Sequence, residues 1–286
     1  MNYDDPLTEN EFANFTPNSE IVRYLELTRQ RLGLEKSEMK VLDWGSGRGN
    51  YVAWLRQAGY DAYGAEIRQV AIDRGKNLFH SLGYDVDRLI RPIAPDCRTD
   101  LPADTFHFVF THYVLEHVAD IDAVTAEIAR LTAPGGCGFH VYPGKLRPFE
   151  PHLFMPFVHW LPKNLTRKWL IRACIACRID PKWDWLATAT PEKKTEAYCA
   201  FCNQETFYRP FRRVRSSFNQ VGLEVTPVSS DHPALCRLSV VPATLRKLLV
   251  EVPVMVFQTV EILVRKPYDG STHDGRPQLR NAALTR

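Results

Sequence analysis

The run Val41-Leu42-Asp43-Trp44-Gly45-Ser46-Gly47-Arg48-Gly49 restricts the fold of this chain more than any other stretch. Apolar residues that read as a strand lead straight into three glycines at alternate positions, and helical periodicity follows over Tyr51–Gln57. Glycines in such a turn let the backbone reverse tightly and bring its N–H groups against a ligand at a helix N-terminus. The spacing is G-x-G-x-G, whereas a dinucleotide-binding turn reads G-x-G-x-x-G. Asp43, just ahead of the first glycine, adds a second distinction. A carboxylate there suits an ammonium group or the loop's own N–H groups and would repel a pyrophosphate.

The rest of the chain supplies a context for that turn. Strand-like segments at Lys40–Trp44, Asp61–Ile67, Arg88–Ile93, Phe106–Thr111 and Gly138–Pro143 are separated by spacers of helix length. Three of the spacers, Tyr51–Gln57, Val70–Leu82 and Asp120–Leu131, carry helical periodicity. Apolar strands alternating with helices predict an α/β fold, a doubly wound and mostly parallel sheet covered on both faces. Ahead of it, Ser19–Leu32 reads as an amphipathic helix with a polar cap, closed by Gly33. After Gly144 the alternation stops, then resumes with a helix near Thr206–Val221, a strand at Leu223–Ser229, a helical stretch around Ala243–Val250 and a strand at Val260–Arg265. The sheet is therefore expected to have seven strands. The expected divisions are an N-terminal helical segment (1–37), a core (38–144), an insertion after strand five (145–205), a closing helix and antiparallel hairpin (206–266) and a loose tail (267–286).

Composition narrows the setting. With 36 Lys and Arg against 33 Asp and Glu the net charge is +3, too weak for a nucleic-acid binder. The first residues are acidic and broken by Pro6, unlike a secretory leader, and the most apolar stretch, Val250–Val264, contains Glu251, Pro253 and Glu261. Seven cysteines, an odd number, suggest reduced thiols, so a soluble cytoplasmic protein is expected.

Beyond the glycine turn, Glu66 ends the second strand, where a carboxylate can accept hydrogen bonds from both ribose hydroxyls. Asp96, after the third strand, can accept from an exocyclic amine. Together these residues describe a site for an adenosine with a cationic tail and no phosphates. With Asp104-Thr105-Phe106-His107-Phe108-Val109-Phe110-Thr111-His112-Tyr113-Val114-Leu115-Glu116-His117-Val118 and Leu131-Thr132-Ala133-Pro134-Gly135-Gly136, the chain resembles the class I S-adenosylmethionine-dependent methyltransferases of the type 11/23-like small-molecule branch. The likeness covers residues 38–145 well and 205–266 in outline. It implies S-adenosyl-L-methionine as cofactor, with Asp43, Gly45, Ser46, Gly47 and Gly49 along the methionine side. It likewise puts Glu66 at the ribose, Asp96 at the adenine and His112 beside the transferring group. His107 departs from the Asp usual after the Phe. Some quinone-type O-methyltransferases of similar sequence carry an extra carboxylate before the Val-Leu-Glu-His run to hold a metal. Tyr113 stands in that place here, so no metal is expected.

The methyl acceptor is less constrained. Residues 145–215 hold 14 Lys and Arg against 6 Asp and Glu, together with Trp160, Trp169, Trp183 and Trp185. Within this segment His152 and His159 are the candidate catalytic bases for a hydroxyl acceptor. A sugar, glycolipid or other small molecule is the expected acceptor, so the partner is a small-molecule, glycan or lipid species. The basic, Trp-bearing stretch Lys163–Ile175 also admits a peripheral membrane contact. The pairs Cys174/Cys177 and Cys199/Cys202 have zinc-like spacing, but the first sits in a helical stretch and packed thiols are expected. Two other readings remain open: a catalytically silent binding protein whose Cys-rich insertion does the work, and a nicotinamide dehydrogenase, which the glycine spacing disfavours.

Overall fold

The structure, a computed structural model, describes residues 5–228 and 259–268. The expected helical stretch at Ala243–Val250 and the tail beyond residue 268 lie outside the described residues. In chain order the strands are β1 (Lys40–Trp44), β2 (Asp61–Glu66), β3 (Ile90–Pro92), β4 (Phe106–His112), β5 (Thr132–Pro143), β6 (Glu224–Pro227) and β7 (Thr259–Arg265). The helices are α1 (Glu9–Ala13), α2 (Ser19–Leu32), α3 (Asn50–Gln57), α4 (Gln69–Ser81), α5 (Val86–Leu89), α6 (Ile121–Leu131), α7 (Leu165–Ala176), α8 (Pro191–Gln204) and α9 (Phe211–Gln220). One seven-stranded sheet runs β3-β2-β1-β4-β5-β7-β6, with β7 antiparallel to both of its neighbours and the other pairings parallel. This is the expected doubly wound, Rossmann-like architecture. The order reverses between β1 and β4, where such sheets bind ligands.

Pleating explains why the central strands are apolar throughout. Successive residues of a strand point to opposite faces. Leu42, Trp44, Phe106 and Val109 enter the core on one face with Ile128 and Phe218. Val41, Phe108 and Phe110 enter the other with Ile21, Tyr24 and Leu25. Both faces are dry, so no position between Phe108 and Phe110 can be polar. Each such aromatic contributes about 1.5–3 kcal/mol on burial.

Three expected boundaries shift, each for a local reason. The cap of α2 is Asn18, whose Oδ1 accepts from Glu20 N and Ile21 N, while Gly33 closes the helix at φ +66°. The turn expected at Leu131–Gly136 is the irregular start of β5. Phe106 pairs Thr132 but Phe108 already pairs Cys137, so the extra residues bulge out through Gly135 at φ +75°. Lys266 fastens the bulge, its Nζ donating to Ala129 O at 2.7 Å and Thr132 O at 2.8 Å. The helix expected from Thr206 begins only at Phe211. Residues ahead of Pro210 are drawn to the loop after β4, with Phe207 N donating to Glu116 O at 2.6 Å and Arg209 donating to Ala119 O.

The insertion folds on a small core of its own. Leu153, Met155, Val158, Ile171, Cys174, Leu186, Tyr198 and Cys202 are buried against one another, mainly between α7 and α8. Asn164 caps α7, and Thr190 with Pro191 opens α8. Cys174 and Cys202 are thus packing residues, whereas Cys177 is exposed and Cys199 half-buried. Among the described residues, no helix is long and apolar enough to cross a membrane.

Candidate active site

The glycine turn leaves β1 at the reversal point. Gly45, Gly47 and Gly49 take φ values of +83°, +56° and +86°, a region that L side chains avoid. At Gly45 there is a second reason: a Cβ would lie 2.5 Å from Val114 Cγ2 of the loop after β4. The turn is tied to β2 by backbone bonds, Gly45 N and Ser46 N both donating to Ala65 O at 2.8 and 3.0 Å. The hydroxyl of Ser46 is buried without a partner and sits where a side chain on Gly64 would be, 2.6 Å from such a Cβ. Arg48 is buried, and its guanidinium reaches Glu11 and Asp5 O, fastening the segment before α2 to the turn.

Two carboxylates border the turn. Glu66 accepts from Gly47 N at 2.8 Å through Oε2 and from Arg68 N at 2.9 Å through Oε1, so its position is fixed from both sides. Asp43 is buried, and no described residue donates to its carboxylate. Burial, and then the charge of Glu66, push its carboxyl well above the usual range. A cationic group is what such an unpaired acid lacks. The two acids thus lie side by side at the turn, one buried and one held by backbone N–H groups. Asp96 is exposed, and its Oδ1 accepts from Arg98 N at 3.1 Å, closing its own turn. His112, at the end of β4, has its ring 5.5 Å from that of Tyr51 and 4.7 Å from that of Tyr113. Burial holds its imidazole down at about 4, so it is neutral in ordinary buffers.

A second polar cluster lies where the insertion meets the loop after β4. Glu150 is fully buried and accepts from four groups: His152 N at 2.8 Å, His152 Nδ1 at 2.9 Å, Leu153 N and the Tyr208 hydroxyl. Burial alone would raise its carboxyl; the bonds from His152 and Tyr208 overcome this and hold it down. His152 is 28% exposed, so its ring is oriented by a buried acid yet open to solvent. His159 is buried against the Tyr208 ring at 4.8 Å, with both ring nitrogens unpaired among the described residues. Its imidazole is held at about 4 by burial. The ring of His117 stands 4.9 Å from that of His152, and the Glu116 carboxylate beside it is buried without a partner.

The structure thus gathers Asp43, Gly45, Ser46, Gly47, Gly49 and Glu66 at one place and His152 and His159 at another, while Asp96 stands on the surface. Sequence reasoning had no signal for Tyr208. Nor did it single out Glu116 and His117, whose neighbour His152 comes 35 residues after His117 in the chain.

The sequence model of the methyltransferase-domain family matches residues 18–175, more than half of the chain. No curated protein matches. Several solved structures are similar. One is an S-adenosylmethionine-dependent methyltransferase from Mesorhizobium loti (14% identity, 84% of this chain and 97% of that one, TM-score 0.48). Another is geranyl diphosphate C-methyltransferase from Streptomyces coelicolor A3(2) (14%, 92% and 86%, 0.48). A third is phosphoethanolamine N-methyltransferase 2 from Haemonchus contortus (12%, 86% and 53%, 0.47). What those three methylate belongs to them alone.

Proposed function

Because the chain belongs to the methyltransferase-domain family, we propose that it methylates a hydroxyl acceptor held between the sheet's carboxyl end and the insertion 145–205. It is an S-adenosylmethionine-dependent methyltransferase. When bound, the cofactor supplies a methyl group already activated on a sulfonium, which leaves as a neutral thioether. What remains for the protein is placement of the acceptor and removal of its proton. Asp43 and the backbone of Gly45–Gly49 serve the amino-acid tail, Glu66 the ribose and Asp96 the adenine, while His112 lines the path of the methyl group. A neutral His112 there adds no charge to repel the sulfonium.

The observation that carries the proposal is the pairing of buried Glu150 with half-exposed His152. An ionised Glu150 keeps the proton of His152 on Nδ1, leaving the Nε2 lone pair to take a proton from an acceptor hydroxyl. His159, buried behind no such acid, supports the ring of Tyr208. A sugar, glycolipid or other small molecule fits this reading. The exposed Leu165 and Trp169 of α7, beside Lys168 and Arg172, favour an acceptor that is anionic or attached to a membrane surface.

The test is His152→Ala, assayed after glycans, lipids and phenols have been screened for a true acceptor. Methyl transfer should fall by about 10²–10⁴-fold. Affinity for S-adenosylhomocysteine should stay at the wild-type value. Wild-type turnover by this variant on its acceptor would remove the base from the proposal and leave placement as the whole of catalysis.

A further inference from the structure

The Glu116 carboxylate is 2% exposed, and neither of its oxygens has a hydrogen-bond partner. Burying an acid this way is costly unless something positive completes it. One ligand atom each from Glu116, His117 and His152 lie within 4.8 Å of one another. Among the described residues, no other group of three His, Cys, Asp or Glu side chains comes together in this way.

The surroundings of the two histidines add an independent argument. His117 Nδ1 lies 2.6 Å from Glu205 O. A carbonyl oxygen can only accept, so that nitrogen carries the proton. His152 Nδ1 lies 2.9 Å from Glu150 Oε1, and an ionised carboxylate imposes the same tautomer. Both rings therefore keep their lone pair on Nε2. Metal-binding histidines are oriented in this manner, by a carbonyl or carboxylate at the far nitrogen. Two imidazoles and one carboxylate, with solvent access on the histidine side, make the donor set of zinc centres that keep a fourth position open.

We propose that Glu116, His117 and His152 hold one divalent transition-metal ion of the zinc class, with Glu150 and the Glu205 carbonyl orienting the two imidazoles. Ligand atoms around a tetrahedral ion with bonds near 2.0–2.1 Å stand about 3.3 Å apart. The ligand atoms, within 4.8 Å of one another, would have to draw together to that distance on binding. The expectation of no metal rested on Tyr113 standing where a carboxylate would be needed; His152, brought in by the insertion, supplies a third ligand instead. Binding of the ion does not depend on the function proposed above, but its use does. A hydroxyl coordinated at the open position becomes more acidic and loses its proton to solvent. His152 is then a ligand, and it acts as base only in the metal-free protein.

The full chain, stripped with a chelator and returned to clean buffer, would be titrated calorimetrically with Zn²⁺, and with Co²⁺ while its visible absorption is followed. One ion per chain and the intense absorption of tetrahedral cobalt are expected. Glu116→Gln, which keeps the shape of the side chain, and His152→Ala should each weaken binding by at least 100-fold. Glu150→Gln should weaken it by about 10–100-fold, as loss of an orienting partner does. Absence of stoichiometric binding to the wild type would overturn the proposal. So would binding unchanged in Glu116→Gln, or binding lost only when Cys177 and Cys199 are both changed to Ser. Should His152→Ala fail to fold, His117→Gln replaces it. Wild-type turnover measured in chelator separates the two readings: full activity without metal leaves the base and removes the ion from the reaction, whereas activity lost in chelator and restored by Zn²⁺ supports the ion.

Discussion

Around the glycine turn, backbone groups supply nearly every hydrogen bond: Ala65 O takes two N–H groups, and the Glu66 carboxylate takes two more. In the insertion, side chains carry the polar contacts, as in Glu150 with His152 and Tyr208, or buried Arg167 donating to Leu161 O and Cys202 O. The difference teaches where each region can vary. A turn built from backbone demands only glycines and one acid within nine residues, with Glu66 supplied by the neighbouring strand. A pocket built from side chains drawn from Glu116, Glu150, His152 and Tyr208 can change its chemistry one residue at a time without disturbing the sheet.

The sharpest way to break this comparison is to damage one region and measure the other. Ile171 is fully buried in the insertion's own core. Ile171→Ala should cost about 2–5 kcal/mol. Hydrogen exchange should locate the loss in α7 and α8, and calorimetry should return wild-type affinity for S-adenosylhomocysteine. A matching loss of cofactor affinity would mean that the two regions are one unit. The converse change is Glu66→Ala, which removes two charge-assisted bonds within the turn as well as the proposed ribose contact. Cofactor affinity should drop by about 1.5–3 kcal/mol. Circular dichroism should show α7 and α8 intact.

A third measurement concerns the sheet beneath both regions. His140 in β5 is fully buried, its Nδ1 3.0 Å from Thr111 Oγ1, and burial lowers its imidazole from 6.5 to about 3. Between those values the unfolded chain binds a proton that the folded one refuses, so stability should decline as pH falls from 6.5 toward 3. The slope from this one group is at most about 1.4 kcal/mol per pH unit. Denaturant midpoints for wild type and His140→Gln, compared across that range, would show a shallower decline in the variant. Parallel curves would assign the acid sensitivity elsewhere.

Much of the sheet was legible in the sequence because its period and its punctuation agree. Lys40–Trp44 is a strand in both, and the helix after Gly49 differs by one residue. The bulge at the start of β5 was not legible: Pro134-Gly135-Gly136 has the composition of a turn, and only pairing with Phe106 on one side and Lys266 on the other keeps it in the sheet. Thr206–Pro210 was misread as helix for a similar reason, since its contacts are with Glu116 and Ala119, about 90 residues earlier. Asp43 and Glu66 stand out in the sequence because one precedes the glycine turn and the other ends the second strand. The union of Glu116 and His117 with His152, and the arrival of Tyr208, depend on how the insertion folds back, which no local pattern records.

The close approach of Val114 to Gly45 carries a consequence for the order of events in a catalytic cycle. Val114 lies two residues before Glu116, whose carbonyl holds the segment entering α9. Val114 leaves no room for a side chain on Gly45, so on the proposed assignment a displacement on the acceptor side should reach the turn proposed to hold the cofactor. The two ligands should then be thermodynamically linked. Whatever factor the acceptor adds to cofactor affinity, the cofactor adds to acceptor affinity. Equilibrium titration of either ligand, with and without saturation by the other, reads that factor twice.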